Sequence, residues 1–88
     1  MRIRKVLLEE KIEEKIFKKH GVSRAGIEQG LFNGSPLLYR TGKGSYAAIT
    51  LKEMHITIIF RYEKDAAHII TAYPSSKWQT RLYKRKRK

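Results

Sequence analysis

Residues 55–73, HITIIFRYEKDAAHIITAY, decide how this chain reads. Two runs rich in Ile, Thr, Phe and Tyr flank a polar Glu-Lys-Asp, which is the composition of a β-hairpin. Register matters here, because side chains alternate between the two faces of a strand and a one-residue slip exchanges them. With an odd loop centred on Lys64, Ile56, Ile58 and Phe60 share a face with His68, Ile70 and Ala72. The other face gathers His55, Thr57, Ile59 and Arg61 opposite Tyr73, Thr71, Ile69 and Ala67. This register separates an apolar side from one with polar ends, whereas a two-residue turn mixes them. It predicts a helix-covered core face and a partly open face displaying His55, Thr57, Arg61, Thr71 and Tyr73. His68 then reads as a hydrogen-bonded core histidine.

Upstream, LLYRT (37–41) and SYAAITLK (45–52) are also short, β-branched and aromatic. Gly-Lys-Gly and Lys-Glu-Met separate the strands as turns, so four consecutive strands form an antiparallel meander. Before them the period is helical. In residues 6–21, VLLEEKIEEKIFKKHG, Leu8, Ile12 and Ile16 lie four apart on one helix face. Acids come early and bases late, which complements the helix dipole. Gly21 stops this helix, and Ser23 caps a second one with Ile27 and Leu31 inward. Pro36 blocks its continuation. From Ser75 a last helix is expected, capped by Ser75 or Ser76, with Trp78 and Leu82 seating it on the core. The expected order is ααββββα, an α+β domain with its helices on one face of a four-stranded antiparallel sheet. Residues 1–83 form the single domain and 84–88 a basic tail.

Lys and Arg number 20 against 8 Asp and Glu, a formal charge of +12 on 88 residues. Four of the acids (Glu9, Glu10, Glu13, Glu14) sit in one early segment, while residues 75–88 hold seven bases and no acid. Such a field favours a polyanionic partner, with nucleic acid the first candidate. There is no cysteine, hence no disulfide and no thiolate site. The charged amino-terminal residues offer no apolar run for a signal peptide or membrane span, so a cytoplasmic protein is expected, with no membrane partner.

Few chemistries remain. Three histidines without metal-ligand spacing argue against zinc, and the acids are too scattered for a carboxylate pair or a Mg²⁺ cluster, so no cofactor is expected. TGKGSY (41–46) lacks the Walker pattern and reads as a turn. What is left is a set of bases and aromatics: Arg61, Lys77, Arg81, Tyr39, Tyr73, Tyr83, Trp78 and His55. Cations neutralise phosphate and flat rings stack on unpaired bases, which suits RNA. The same set suits metal-free RNA cleavage, which needs a base for the 2′-hydroxyl proton, cations for the charge on phosphorus and an acid for the leaving oxygen. Tyr73, Tyr83 and His55 are the proton-transfer candidates, with Arg61 and Arg81 beside them in the catalytic set. Lys77, Lys43, Arg40, Lys84 and Arg85 are the candidate RNA contacts. The plainer readings stay open: Tyr39 and Tyr46 as strand aromatics, and the final KRKRK as a solvated tail.

KKHGVSRAGIEQGLF (18–32) resembles the Lys-His-Gly-Val-Ser helix junction of BrnT-type toxins, a branch of the RelE/ParE superfamily. HIITAYPSSKWQTRLY (68–83) is similar to that family's Arg-Ile-Ile-Ser-Ala-Arg strand and the Glu-Arg-x-x-Tyr-type helix after it. Ile69, Ile70 and Ala72 match the strand; Arg81 and Tyr83 fall on the helix pattern. The resemblance runs from Lys19 to Tyr83. It implies a RelE-like fold, metal-independent ribonuclease activity that arrests translation, and a cognate antitoxin encoded alongside. The RNA it implies is mRNA, free or ribosome-bound. The chain departs from the family at three places. The strand-ending Arg is Tyr73, the helix Glu is Gln79, and an expected basic residue falls near Ser45. A catalytic toxin, a non-catalytic RNA-binding module and a subunit docking an acidic protein all remain consistent with these residues.

Overall fold

The hairpin of residues 55–73 closes through a two-residue turn, not the odd loop its pattern suggested. The computed structural model describes residues 2–33, 36–42, 44–51 and 55–86. Its elements are β1 (Lys5–Leu7), α1 (Glu10–His20), α2 (Arg24–Asn33), β2 (Leu37–Arg40), β3 (Tyr46–Leu51), β4 (His55–Glu63), β5 (Ala66–Pro74) and α3 (Lys77–Lys86). Glu63 pairs with Ala66, and Lys64 and Asp65 take φ of 51° and 64°. Two left-handed residues of this kind suit a hairpin, because their twist matches that of the flanking strands. The Asp65 carboxylate secures the turn by accepting the Tyr62 hydroxyl at 2.8 Å. That hydrogen bond is the main reason the Tyr62 phenol titrates above its ordinary range.

Such a turn alone would mix the two faces, yet they are separated. The pairing runs Phe60↔Ile69 and then Ile59↔Thr71, skipping Ile70 in a bulge. Beyond the bulge Ile58 faces Ala72 and Thr57 faces Tyr73. Phe60, Ile58, Ala67, Ile69 and Ala72 therefore enter one core, while His55, Thr57, Arg61, Thr71 and Tyr73 share the opposite face. Four assignments, those of residues 67–70, reverse. His68 is exposed opposite Arg61 rather than buried as a core histidine, Ile70 is 42% exposed, and Ala67 and Ile69 take core positions.

The expected four-stranded antiparallel sheet with order ααββββα is corrected by a fifth strand. β1 pairs in parallel with β5, Lys5↔Ala66 through Leu7↔His68, giving a mixed sheet in the order β1-β5-β4-β3-β2 and a chain order βααββββα. Three residues are too few to show alternation, and their Val and Leu merge into the helical stripe that follows. The class remains α+β.

The helices also divide between the faces. α1 and α2 supply Ile16, Ile27 and Leu31 to the core over Ala48, Ile58 and Phe60, while α3 crosses the other face. Gly21 ends α1 with φ 72° and donates its N–H to the Phe17 carbonyl at 2.9 Å. Ser23 caps α2 by accepting the Gly26 N–H at 3.1 Å. Arg24 ties both helices to the chain before them. Its Nη2 donates to the Leu8 carbonyl at 2.9 Å and to Glu13 Oε1 at 2.8 Å.

α2 approaches β3 most closely at Gly30, where a Cβ would meet Thr50 Oγ1 at 2.9 Å and Cγ2 at 3.0 Å. Thr50 cannot rotate away freely, since its hydroxyl donates to the Ile56 carbonyl. Gly30→Ala is expected to destabilise the domain by about 1–3 kcal/mol through overpacking, despite alanine's better helix propensity. A urea midpoint equal to or above that of the wild type would refute this close approach.

Candidate functional site

The site grows from the start of α3. Ser76 caps this helix: its Oγ accepts the Gln79 N–H at 3.4 Å, and its own N–H donates to Gln79 Oε1 at 2.9 Å. This reciprocal pair is a capping box, with Gln at the third helical position. It draws the Gln79 side chain back under the helix, onto the sheet face of Thr57 and Tyr73. Gln79 is 4% exposed, the buried residue of α3. Trp78 and Leu82 were expected in that role. Trp78 instead lies 57% exposed, its ring 6.1 Å from that of Tyr39, and Leu82 is half-buried.

Around Gln79 the polar groups of four elements converge. Its Oε1 also accepts the Thr57 hydroxyl at 3.0 Å and the Ser76 hydroxyl at 3.2 Å. Thr57 is fully buried and is met in turn by Ser75 Oγ at 2.8 Å. The amide Nε2 donates to the phenol oxygens of Tyr39 and Tyr73, both at 3.1 Å. Burying a primary amide without partners costs several kcal/mol, roughly 2–7, so a fully satisfied Gln79 marks a rigid centre.

Imidazoles flank this centre on two sides. His20, the last residue of α1, stands edge-on to the Tyr73 ring with centroids 6.2 Å apart. His55 stands edge-on to Tyr83 at 5.2 Å, one helical turn beyond Gln79, and its Nε2 is buried without a hydrogen-bond partner among the described residues. A groove of about 230 Å³ runs between α1 and β5, lined by Ile12, Ile16, Ile70 and Thr71 with Lys15, Lys19 and His20, the last of these being the residue whose ring meets Tyr73.

The residues expected to act together divide accordingly. Tyr73, Tyr83 and His55 occupy one end of this face. Arg61 is on the same face but four positions along β4 from Thr57, about 13 Å away at the rise of a strand. Lys77, Arg81 and Lys84 form an exposed stripe on the far side of α3 from Gln79, and Arg85 adjoins it beside Trp78 and Leu82. Lys84 and Arg85 belong to the last turn of the helix, where cations complement the dipole. Arg40 takes the opposite sheet face, with its guanidinium 5.9 Å from the Tyr46 ring centroid. Lys43 lies outside the described residues. Sequence reasoning did not place Gln79 or His20 in the site, and it named Tyr39 among the RNA-suited aromatics while leaving it open as a strand aromatic. The Ser-x-x-Gln spacing was a usable signal for Gln79. Nothing local pointed to His20, which arrives from the remote end of α1.

Among the described residues no three His, Asp or Glu side chains come together as a metal site, and no helix is long and apolar enough to cross a membrane.

This arrangement, a mixed sheet with two helices on one side and a carboxyl-terminal helix over the other, has a counterpart among solved structures. The chain adopts a BrnT-like fold: it is similar to the crystal structure of the Brucella abortus ribonuclease toxin BrnT, with a TM-score of 0.67. The match covers 83% of this chain and 97% of that one at 23% sequence identity, a likeness of fold. No family model and no curated protein sequence matches the chain.

Proposed function

We propose that this chain is a metal-independent RNA endonuclease, the toxin of a toxin–antitoxin pair. The observation that carries the reading is the Tyr73 phenol, held at 3.1 Å by a buried Gln79 with the His20 imidazole edge-on to its ring, within a BrnT-like fold. In this reading the RNA 2′-oxygen attacks the adjacent phosphorus, and the bond from phosphorus to the 5′-oxygen breaks. His20 takes the 2′-proton as base and the Tyr73 O–H protonates the departing 5′-oxygen, leaving a 2′,3′-cyclic phosphate and a 5′-hydroxyl. Lys15 and Lys19 beside the groove supply positive potential near the phosphorus. His55 and Tyr83 bracket the next position of the chain, and the α3 stripe carries the RNA backbone away from the centre.

The decisive measurement is cleavage of structured and ribosome-bound RNA in the presence of EDTA, with end-group analysis of the products. Cutting that yields cyclic phosphate ends, suppressed by a co-expressed antitoxin, is the expected result. Salt-sensitive RNA binding without any cutting by the wild type would sink the enzyme and leave a binding module. The stripe has its own check. Converting Lys77, Arg81 and Lys84 together to Ala is expected to reduce the slope of log affinity against log salt by roughly 2 for single-stranded RNA. An unchanged slope would remove α3 from the RNA path.

A further inference from the structure

The orientation of one amide determines which way two phenols point their protons. The Ser76 backbone N–H can only donate, so the oxygen of Gln79, and not its nitrogen, must face it at 2.9 Å. Both Nε2 protons are then committed to Tyr39 and Tyr73, and each phenol oxygen must accept. A phenol has a single proton, and no group among the described residues accepts either one. Both protons are therefore available to a group outside the chain. The two oxygens share one amide nitrogen as a common partner, so a single tetrahedral anion can span them.

From this we infer that Gln79 is a positioning residue that turns Tyr39 and Tyr73 into a paired O–H donor seat for one phosphate group. Tyr39 is thereby a binding residue equal in weight to Tyr73. The identity of that phosphate as an RNA linkage rests on the function proposed above; the seat itself does not. Gln79→Glu is the informative change, because it keeps size and shape while replacing the two amide donors with an acceptor and adding one negative charge. Its carboxylate still accepts from Ser76 and Thr57, so α3 stays capped. The second oxygen, however, accepts where the amide donated, and both phenol protons turn inward.

The test uses the full chain without RNA. The Raman doublet of tyrosine reports whether a phenol donates or accepts, and the contribution of this pair is isolated by subtracting the spectrum of the Tyr39→Phe, Tyr73→Phe double variant. Gln79→Glu is expected to move that contribution toward strong donation. Inorganic phosphate is then titrated at fixed ionic strength and followed by NMR. Tyr39→Phe and Tyr73→Phe, neither of which changes charge, are each expected to weaken phosphate binding about tenfold, as loss of one hydrogen bond to an ion does. The double variant is expected to lose the site. An unmoved Raman doublet in Gln79→Glu, or phosphate affinity unaffected by Tyr39→Phe, overturns the seat. Because neither readout involves cleavage, a protein that cuts no RNA still tests it. If Gln79→Glu fails to fold, the two phenylalanine variants decide alone.

Discussion

Tyr73→Phe is expected to slow RNA cleavage by about 10²–10⁴-fold, the usual loss when a positioned proton donor is removed. The substitution removes one oxygen and leaves the ring, so the edge-on contact with His20 and the strand pairing with Thr57 persist. Its effect on stability is correspondingly small, about 1 kcal/mol for one lost hydrogen bond. The measurement is a single-turnover rate at saturating RNA with EDTA present, alongside a urea titration showing an intact fold. A rate within threefold of the wild type would remove Tyr73 from the chemistry. His20→Ala, from a different element, should lower the same rate without abolishing RNA binding.

The largest expected stability effect lies on the other face of the same hairpin. Phe60 is fully buried and stacks on Tyr46, with ring centroids 5.9 Å apart and 24° between the planes. Phe60→Ala is expected to cost about 3–5 kcal/mol, combining lost burial with the cavity left behind. A domain of 88 residues has only about 4–13 kcal/mol of total stability at typical values per residue. Much of the margin therefore goes, and Tm should fall by about 12 °C or more. Arg61→Ala, the next residue and on the exposed side, should stay within about 0.5 kcal/mol of the wild type. Comparable losses at both positions would mean that the register of β4 is wrong.

How far the sequence disclosed this molecule can be seen at particular residues. The α1 and α2 boundaries were legible because Gly21 and Ser23 act locally, through a left-handed φ and a side-chain cap. Which face carries Tyr73 was legible too, although the route to it was not. The two-residue turn and the bulge at Ile70 are two departures from the simple odd-loop register, and together they preserve the separation of faces. Alternation alone shows the separation and hides the pair of shifts. β1 could not be read, because its partner is about sixty positions away and three residues have no period. At the site, Tyr73, Tyr83 and His55 were nominated by chemistry and arrive on one end of the face. Gln79 was noted only as a departure from a family pattern, since polarity on a helix reads as solvent exposure until a buried partner is known.

The β1–β5 pairing has a kinetic consequence. Residues 5–7 find their neighbours only at 66–68, so the sheet edge closes across nearly the whole chain. Pairing at such separation makes loop closure slow and delays it until late. The β4–β5 hairpin, whose strands are neighbours in sequence, is therefore expected to form first and to present the edge onto which residues 5–7 later dock.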